Sequence, residues 1–295
     1  MFRRALMFLC LFSMSAAAVP ALAAQDHQKY QLSDQLTLWV LVDSLRDMDL
    51  GDVFPGQEEI FKQYVPSGSA PASILAFLLK SPEAAVLIDT GLGGGSLEKA
   101  LAGTGLAPED ISLVLLTHMH GDHIGGLLAE GRPAFPKAKI RLARAEKDFW
   151  LNEANPAKFP GLAANFDLAR RALSAYGAEV GTFEFGAEVA PGLTAVAALG
   201  HTPGHTAYLL AAGPEKVLFW GDLIHAAALQ FPRPDLSPRY DIDPVAAAKT
   251  RLEFLKRADK EGLVVAGDHL PFPGVGRVKA GPGEGPSFAF TPWKK

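Results

Sequence analysis

Three histidines and an aspartate lie within one seven-residue stretch, Thr117–His123, which reads Thr-His-Met-His-Gly-Asp-His. Imidazole and carboxylate groups are the ligands that a borderline divalent ion such as zinc prefers. His118 and His120 are two residues apart, so in extended backbone they point to the same side and suit one ion. Asp122 and His123 are adjacent, point in different directions and suit a second ion. The stretch predicts a metal site; a solvated polar turn is the alternative.

Three later segments place candidate ligands in the same way, directly after apolar strands. They are His201-Thr-Pro-Gly-His205, Trp220-Gly-Asp222 and Gly267-Asp-His269, with His225 three residues beyond Asp222. The first stretch also follows an apolar run, Ile111–Thr117, of the kind found in buried parallel strands. Sites in layered α/β proteins commonly lie where a strand ends and a helix begins. The repeated placement therefore favours one shared metal site.

The elements that must position these ligands can be outlined from the apolar pattern. Helices are expected near 96–102, 144–152, 167–176 and 244–258. Strands are expected near 36–42, 73–80, 84–89, 111–117, 138–143, 179–185, 193–199, 207–212, 216–221 and 262–266, the last of these being the final strand. Glycines in Thr90–Gly95 predict a flexible turn. Strands in both halves with helices between them predict an α/β protein with two mixed sheets packed between helical layers.

The chain's first 24 residues have the features of a secretory signal peptide. Arg3 and Arg4 precede an uncharged apolar run over 5–19, and Ala21-Leu22-Ala23 is a small-x-small cleavage signal. The run is short for a membrane span. We expect cleavage at residue 23 or 24, no membrane span in the mature form, and secretion, into the periplasm in a Gram-negative host. Residues 25–295 then form a single domain.

Composition narrows the chemistry of the mature chain. The only cysteine, Cys10, lies inside the predicted signal peptide, so no disulfide, thiolate ligand or cysteine nucleophile is expected. The formal net charge is −4, whereas proteins that bind phosphate backbones normally carry a basic surplus. A small-molecule partner is therefore expected and a nucleic-acid partner is not.

The four ligand segments together resemble the metallo-β-lactamase superfamily of hydrolases, over about residues 73–272. The segments 221–231 and 268–276 are more narrowly similar to the exported methyl parathion hydrolase and lactonase branch. The resemblance implies a four-layer αββα sandwich, with the metal site at one edge of the two sheets. It also implies two divalent ions per chain. Zinc is the expected metal, and iron, manganese and cobalt are the alternatives.

Carried over by motif position, the resemblance gives each ligand a role. The first metal would be held by His118, His120 and His205. The second would be held by Asp122, His123 and His269, with Asp222 bridging both. Asp89 and His201 would support the ligands by hydrogen bonding rather than bind a metal. Catalytic roles fall to Asp122, Asp222 and His225.

Two such ions can share a hydroxide formed at neutral pH and can polarise a carbonyl or phosphoryl oxygen. Asp122 could then pass a proton to the leaving alkoxide. His225 occupies a position where lactonases of this superfamily often carry a tyrosine. It could donate a hydrogen bond to the substrate there. It could equally be a histidine of the pocket wall.

Four aromatic residues are candidates for a substrate pocket. Trp150 and Phe166 correspond loosely to aromatics that line the leaving-group pocket in the methyl parathion hydrolase branch. Phe231 and Tyr240 lie on the long loop after Asp222. If all four line the pocket, it should prefer a flat, apolar ester or lactone.

The leading hypothesis is a dinuclear metal-dependent hydrolase of lactones or aryl esters, with organophosphate triesters as side substrates. A glyoxalase II-like thioester hydrolase, a β-lactam hydrolase and a non-catalytic metal-binding scaffold are the alternatives. An apolar stretch, Leu36–Val42, and the long loop over 50–72 suggest a possible homodimer contact.

Overall fold

A computed structural model describes residues 26–211, 215–282 and 285–294. The predicted signal peptide lies outside the described residues. The strands are β1 His27–Gln31, β2 Thr37–Asp49, β3 Ser69–Lys80, β4 Ala85–Ile88, β5 Leu113–Leu115, β6 Leu128–Ala129, β7 Arg132–Pro133, β8 Lys139–Ala143, β9 Val180–Phe183, β10 Glu188–Ala190, β11 Leu193–Ala197, β12 Thr206–Leu210, β13 Val217–Phe219, β14 Val264–Ala266, β15 Val275–Ala280 and β16 Phe288–Pro292.

The α-helices are α1 Leu50–Val53, α2 Glu58–Tyr64, α3 Ser96–Ala102, α4 Gly121–Ile124, α5 Arg144–Leu151, α6 Asn155–Lys158, α7 Ala163–Tyr176, α8 Ala227–Gln230 and α9 Pro244–Glu261. Short 3-10 turns lie at Pro108–Asp110, Gly125–Leu127, Pro160–Leu162, Gly177–Glu179 and Gly221–Leu223. Asp243 caps α9 by accepting a hydrogen bond from the Ala246 amide, and Gly262 ends that helix in the left-handed conformation.

The strands form two seven-stranded mixed sheets. The first has the order β1-β2-β3-β4-β5-β8-β9, and its last three pairings are parallel. The second has the order β10-β11-β12-β13-β14-β15-β16, with only β13 and β14 parallel. Parallel neighbours end at the same edge of a sheet, so β4 with β5, and β13 with β14, deliver their following loops to shared edges. The predicted mixed sheets are confirmed.

Three apolar clusters show the layers. One, including Phe77, Tyr208 and Phe219, fills the space between the two sheets. A second packs α3, α5 and α7 on the outer face of the first sheet, and a third packs α9 on the outer face of the second. The order helix, sheet, sheet, helix is the predicted αββα sandwich.

Several predicted elements need correction. Leu38, Val40 and Leu41 in β2 are fully buried, so the stretch 36–42 is a core strand in which Leu36, Trp39 and Val42 stay partly exposed. The segment 50–72 is not one long loop, because it contains α1, α2 and the start of β3. The strand at 264–266 is also not the last one, since β15 and β16 follow it and complete the second sheet.

Candidate metal centre and its cavity

Five loops carry the candidate ligands and their supports to one edge of the sandwich. They follow β4, β5, β11, β13 and β14. Asp89 follows β4 and has a positive φ of 59°, which is uncommon for a residue other than glycine and often marks a functional site. Its carboxylate accepts hydrogen bonds from the Thr117 amide (2.8 Å) and hydroxyl (2.6 Å) and lies 2.8 Å from His123 Nδ1. Asp89 therefore fixes the loop that carries the histidine motif, as predicted for a supporting residue.

Three histidine nitrogens form a tight triangle at the first cluster. His118 Nε2 lies 3.0 Å from His120 Nδ1 and 3.2 Å from His201 Nε2. His120 Nδ1 lies 2.9 Å from His201 Nε2. A triangle of nitrogens cannot satisfy itself by hydrogen bonding, because each neutral imidazole offers only one N–H. Tetrahedral ligands about 2.1 Å from a zinc ion lie roughly 3.4 Å apart, close to the observed sides. The donor set fits a divalent ion.

The structure places His201 and His205 differently around the first cluster. His205 Nδ1 lies 2.8 Å from the Ala198 carbonyl, and its Nε2 accepts the Asp222 amide at 3.1 Å. Both ring nitrogens thus contact backbone groups. Burial lowers the pKa of His205 to about 3 and keeps the ring neutral. His201 Nε2, and not His205 Nε2, lies within the triangle of nitrogens.

His201 is oriented from behind by a buried ion pair. Its Nδ1 lies 2.8 Å from Asp241 Oδ1, and Asp241 Oδ2 accepts a hydrogen bond from Arg251 Nη2 at 3.0 Å. A carboxylate behind a histidine ligand fixes the ring's orientation and increases its basicity. Asp241 and Arg251 were not anticipated from the sequence.

The second cluster contains Asp122, His123 and His269, and Asp222 lies between the two clusters. Asp222 Oδ1 is 3.1 Å from His123 Nε2, whereas Oδ2 is 3.1 Å from His269 Nε2 and 3.2 Å from His201 Nε2. Asp122 Oδ2 is 3.4 Å from His269 Nε2. All four predicted residues are therefore brought together, and Asp222 is placed to bridge.

The cluster's electrostatics favour positive charge. Burial lowers the pKa of His201 and His269, but the carboxylates around them, Asp222 foremost, outweigh burial and raise both pKa values to about 9. Burial raises the pKa of Asp222, but His123 and the neighbouring histidines hold it well below its ordinary value. Buried carboxylates thus stabilise protons on His201 and His269. A divalent cation can be stabilised by the same carboxylates and can replace those protons.

His225 lies beside the second cluster. Its Nε2 is 3.2 Å from Asp222 Oδ2, and its ring stacks on His269 with centroids 5.1 Å apart. Burial lowers the pKa of His225, so the ring is neutral. The Gln230 side chain accepts the His225 backbone amide at 2.7 Å and fixes the start of this loop. His225 also lines the cavity described next.

A cavity of about 820 Å³ opens over both clusters. Tyr240 lines it as predicted, but Trp150, Phe166 and Phe231 do not. Trp150 and Phe166 are fully buried and pack on each other with centroids 4.7 Å apart, so they belong to the core beneath α5 and α7. Phe231 is buried against Phe290.

The apolar wall of the cavity comes from neighbouring positions instead. Phe159 and Leu162, in the connection between α6 and α7, line it opposite Met48 and Val53 from β2 and α1. The residues predicted from the sequence on this part of the chain, Trp150 and Phe166, flank the connection that lines the cavity but do not line it themselves.

Two solved structures that superpose on the chain are described as a hydrolase and a lactonase. The chain superposes on "hydrolase AbOPH in beta lactamase superfamily" with a TM-score of 0.83 and 31% identity, covering 92% of this chain and 98% of that one. For AidC, described as a dizinc quorum-quenching lactonase, the TM-score is 0.81 and the identity 27%, over 91% and 98% of the two chains.

Curated relatives match a shorter part of the chain. Metallo-beta-lactamase domain-containing protein 1 of Mus musculus is 44% identical over 70 residues, which cover 23% of this chain and 24% of the relative. Exodeoxyribonuclease WalJ of Streptococcus pneumoniae serotype 2 is 39% identical over 61 residues, 21% and 22% of the two chains. The matches thus span about a quarter of those relatives.

The layered fold and the shared histidine–aspartate centre define a metal-dependent hydrolase. The family model for the metallo-beta-lactamase superfamily matches residues 70–269, and the chain belongs to this superfamily. Within the described part of the chain, no helix has both the length and the apolar character needed to span a membrane.

Proposed function

We propose that the protein is a dinuclear metal hydrolase that opens lactones or aryl esters. The observation that carries this proposal is that two ligand clusters share Asp222 at the base of one cavity. His118, His120 and His201 would hold the first ion, and Asp122, His123 and His269 the second. When bound, divalent ions (zinc first) supply Lewis-acid activation of water and of the substrate's electrophilic oxygen.

The chain's own groups then divide the remaining work. His225 is neutral and lines the cavity, so it can donate a hydrogen bond to the oxygen on which charge develops. Asp122 is the ligand most open to the cavity, with 26% of its side chain exposed, and we propose that it passes a proton to the leaving alkoxide. Phe159 and Leu162 supply an apolar surface for the rest of the substrate.

Two features support lactones and aryl esters as substrates. The AidC structure, at 27% identity, was solved with the product N-hexanoyl-L-homoserine, the ring-opened form of a lactone. The apolar cavity wall suits an acyl chain or an aryl leaving group. We propose organophosphate triesters as side substrates, because the same centre would polarise a phosphoryl oxygen. Export through the predicted signal peptide remains part of this proposal.

The test combines metal analysis with a panel of rates. The wild-type protein should hold two ions per chain and hydrolyse dihydrocoumarin or an acyl homoserine lactone faster than methyl parathion, a cephalosporin or a glutathione thioester. The Asp222→Asn variant is the control and should lose both metal and activity. Hydrolysis of the cephalosporin or the thioester alone, or one ion or fewer per wild-type chain, would contradict the proposal.

A further inference from the structure

Glu146 is a fully buried carboxylate that lies outside the set of metal ligands. It sits in the first turn of α5 and accepts four hydrogen bonds. Oε1 accepts the Met119 amide at 2.9 Å and the Trp150 indole N–H at 2.6 Å. Oε2 accepts the Thr202 hydroxyl at 2.6 Å and the Gly204 amide at 2.9 Å. Burying a charge is costly unless it is fully hydrogen-bonded, so this arrangement needs a reason.

Three of the four partners of Glu146 belong to the two loops that carry the first cluster; the fourth, Trp150, lies in α5 itself. Met119 lies between His118 and His120, on the loop that follows β5 of the first sheet. Thr202 directly follows His201, on the loop between β11 and β12 of the second sheet. One carboxylate therefore connects two loops that come from different sheets. The distances between the three nitrogens of the first cluster depend on the spacing of these two loops, because His118 and His120 lie on one loop and His201 on the other.

The approach of the second loop to α5 is very close. A Cβ atom on Gly204 would lie 2.1 Å from the Glu146 backbone nitrogen and 2.5 Å from its Cα. Any larger residue at this position would have to displace backbone. The loop and the helix are thus held together both by packing and by the carboxylate.

We propose that Glu146 is a positioning residue that sets the geometry of the first metal site by joining its two loops. This inference rests on the proposed dinuclear function. Loss of the Glu146 carboxylate should change metal affinity much less at the second site, because two ligands of that site are held by other groups. His123 is held by Asp89, and His269 Nδ1 lies 2.8 Å from the Ser73 carbonyl.

The test is the Glu146→Gln variant, which keeps the shape but sets an NH₂ group against donors. Stepwise removal of zinc by a competing chelator should show the first-site dissociation constant raised by about 10- to 100-fold, the range for loss of a ligand's supporting contact. The second-site constant should stay within about twofold of wild type. The ion lost in His201→Asn identifies the first site, and the ion lost in His269→Asn identifies the second.

Asp148→Asn is the matched control, because it makes the same chemical change at an exposed position of the same helix. It should leave both constants unchanged. If Glu146→Gln does not fold, Thr202→Val removes a single donor and decides the question. Two ions in the wild type with an unchanged first-site constant in the folded variant would overturn the role of Glu146. Fewer than two ions in the wild type would instead refute the dinuclear function itself.

Discussion

The sharpest test of the metal centre compares His201, which we propose as a ligand, with His205, the ligand expected from the motif. An Asn substitution keeps a polar atom near the Nδ1 position of histidine and removes Nε2. In His201 the lost atom faces the other two nitrogens of the first cluster, 2.9 and 3.2 Å away. In His205 it accepts the Asp222 amide. The two variants make the same chemical change. They differ in what the lost Nε2 contacts and in the Nδ1 partner, which is Asp241 for His201 and the Ala198 carbonyl for His205.

His201→Asn should lower the metal content by one ion per chain. His205→Asn should retain both ions but leave the Asp222 amide buried without a partner, which costs about 1–3 kcal/mol. Because a folded domain has about 5–15 kcal/mol of stability in total, this variant should still fold. The measurements are metal content after dialysis and the free energy of unfolding of the metal-free protein in urea. Loss of an ion in His205→Asn, with both ions retained in His201→Asn, would refute the assignment.

Three further predictions concern the groups around the ligands. Asp241→Asn removes the negative charge that contacts His201 Nδ1. Chelator competition should show the binding of one ion weakened by about 10- to 100-fold. Equal weakening of both ions would contradict a local effect of Asp241 on His201. His225→Phe should lower kcat for a lactone by about 100-fold with the metal content unchanged, and unchanged rates would assign His225 to the cavity wall. His201 and His269 have pKa values of about 9, above the ordinary 6.5, so both carry protons in the metal-free protein at pH 7. Burial lowers the pKa of His123, but Asp222 and Asp89 outweigh burial and raise it well above 6.5, so His123 carries a third proton. Metal loading at pH 7 should therefore release about three protons, and metal affinity should increase as the pH rises towards 9. Titration calorimetry in buffers of different ionisation enthalpy measures the release, and no release of protons would contradict the prediction.

The strands that the sequence predicted are those with a continuous apolar run. Among those that escaped, β1, β10 and β16 lie at the edges of the two seven-stranded sheets, and β15 follows a Gly/Pro-rich segment. The two-residue strands β6 and β7 also escaped. β1 reads His-Gln-Lys-Tyr-Gln and buries fully only Tyr30. An edge strand pairs on one side, so its residues need not be apolar and the pattern carries little signal.

The ligand motif was predictable because its residue types are rare and closely spaced, but its geometry was not. His201 and His205 occupy the same loop, four residues apart, and either could be the ligand by residue type alone. The backbone around His205 supports our proposal of His201, because the Asp222 amide and the Ala198 carbonyl contact the two ring nitrogens of His205. The prediction that Trp150 lines the cavity was wrong for a similar reason. Trp150 and Phe159 lie on one short segment, and only tertiary packing determines which of them faces the cavity.

Arg251 is a supporting residue that carries a signal in the sequence. Arg251 lies in α9 at helical spacing from the buried residues Ala247, Phe254, Leu255 and Ala258, so a charge stands on the apolar face of an amphipathic helix. A guanidinium there is costly unless buried acceptors satisfy it, which predicts a buried carboxylate or several carbonyl groups nearby. The structure supplies both: Asp241, and the carbonyls of Leu223, Pro234 and Leu236. Because these acceptors belong to the loop after β13, the same arginine holds the loop that carries His225 and orients His201 through Asp241. Glu146 lies in a helix of mixed polarity and gave no comparable signal, so its role could be inferred only from its four donors.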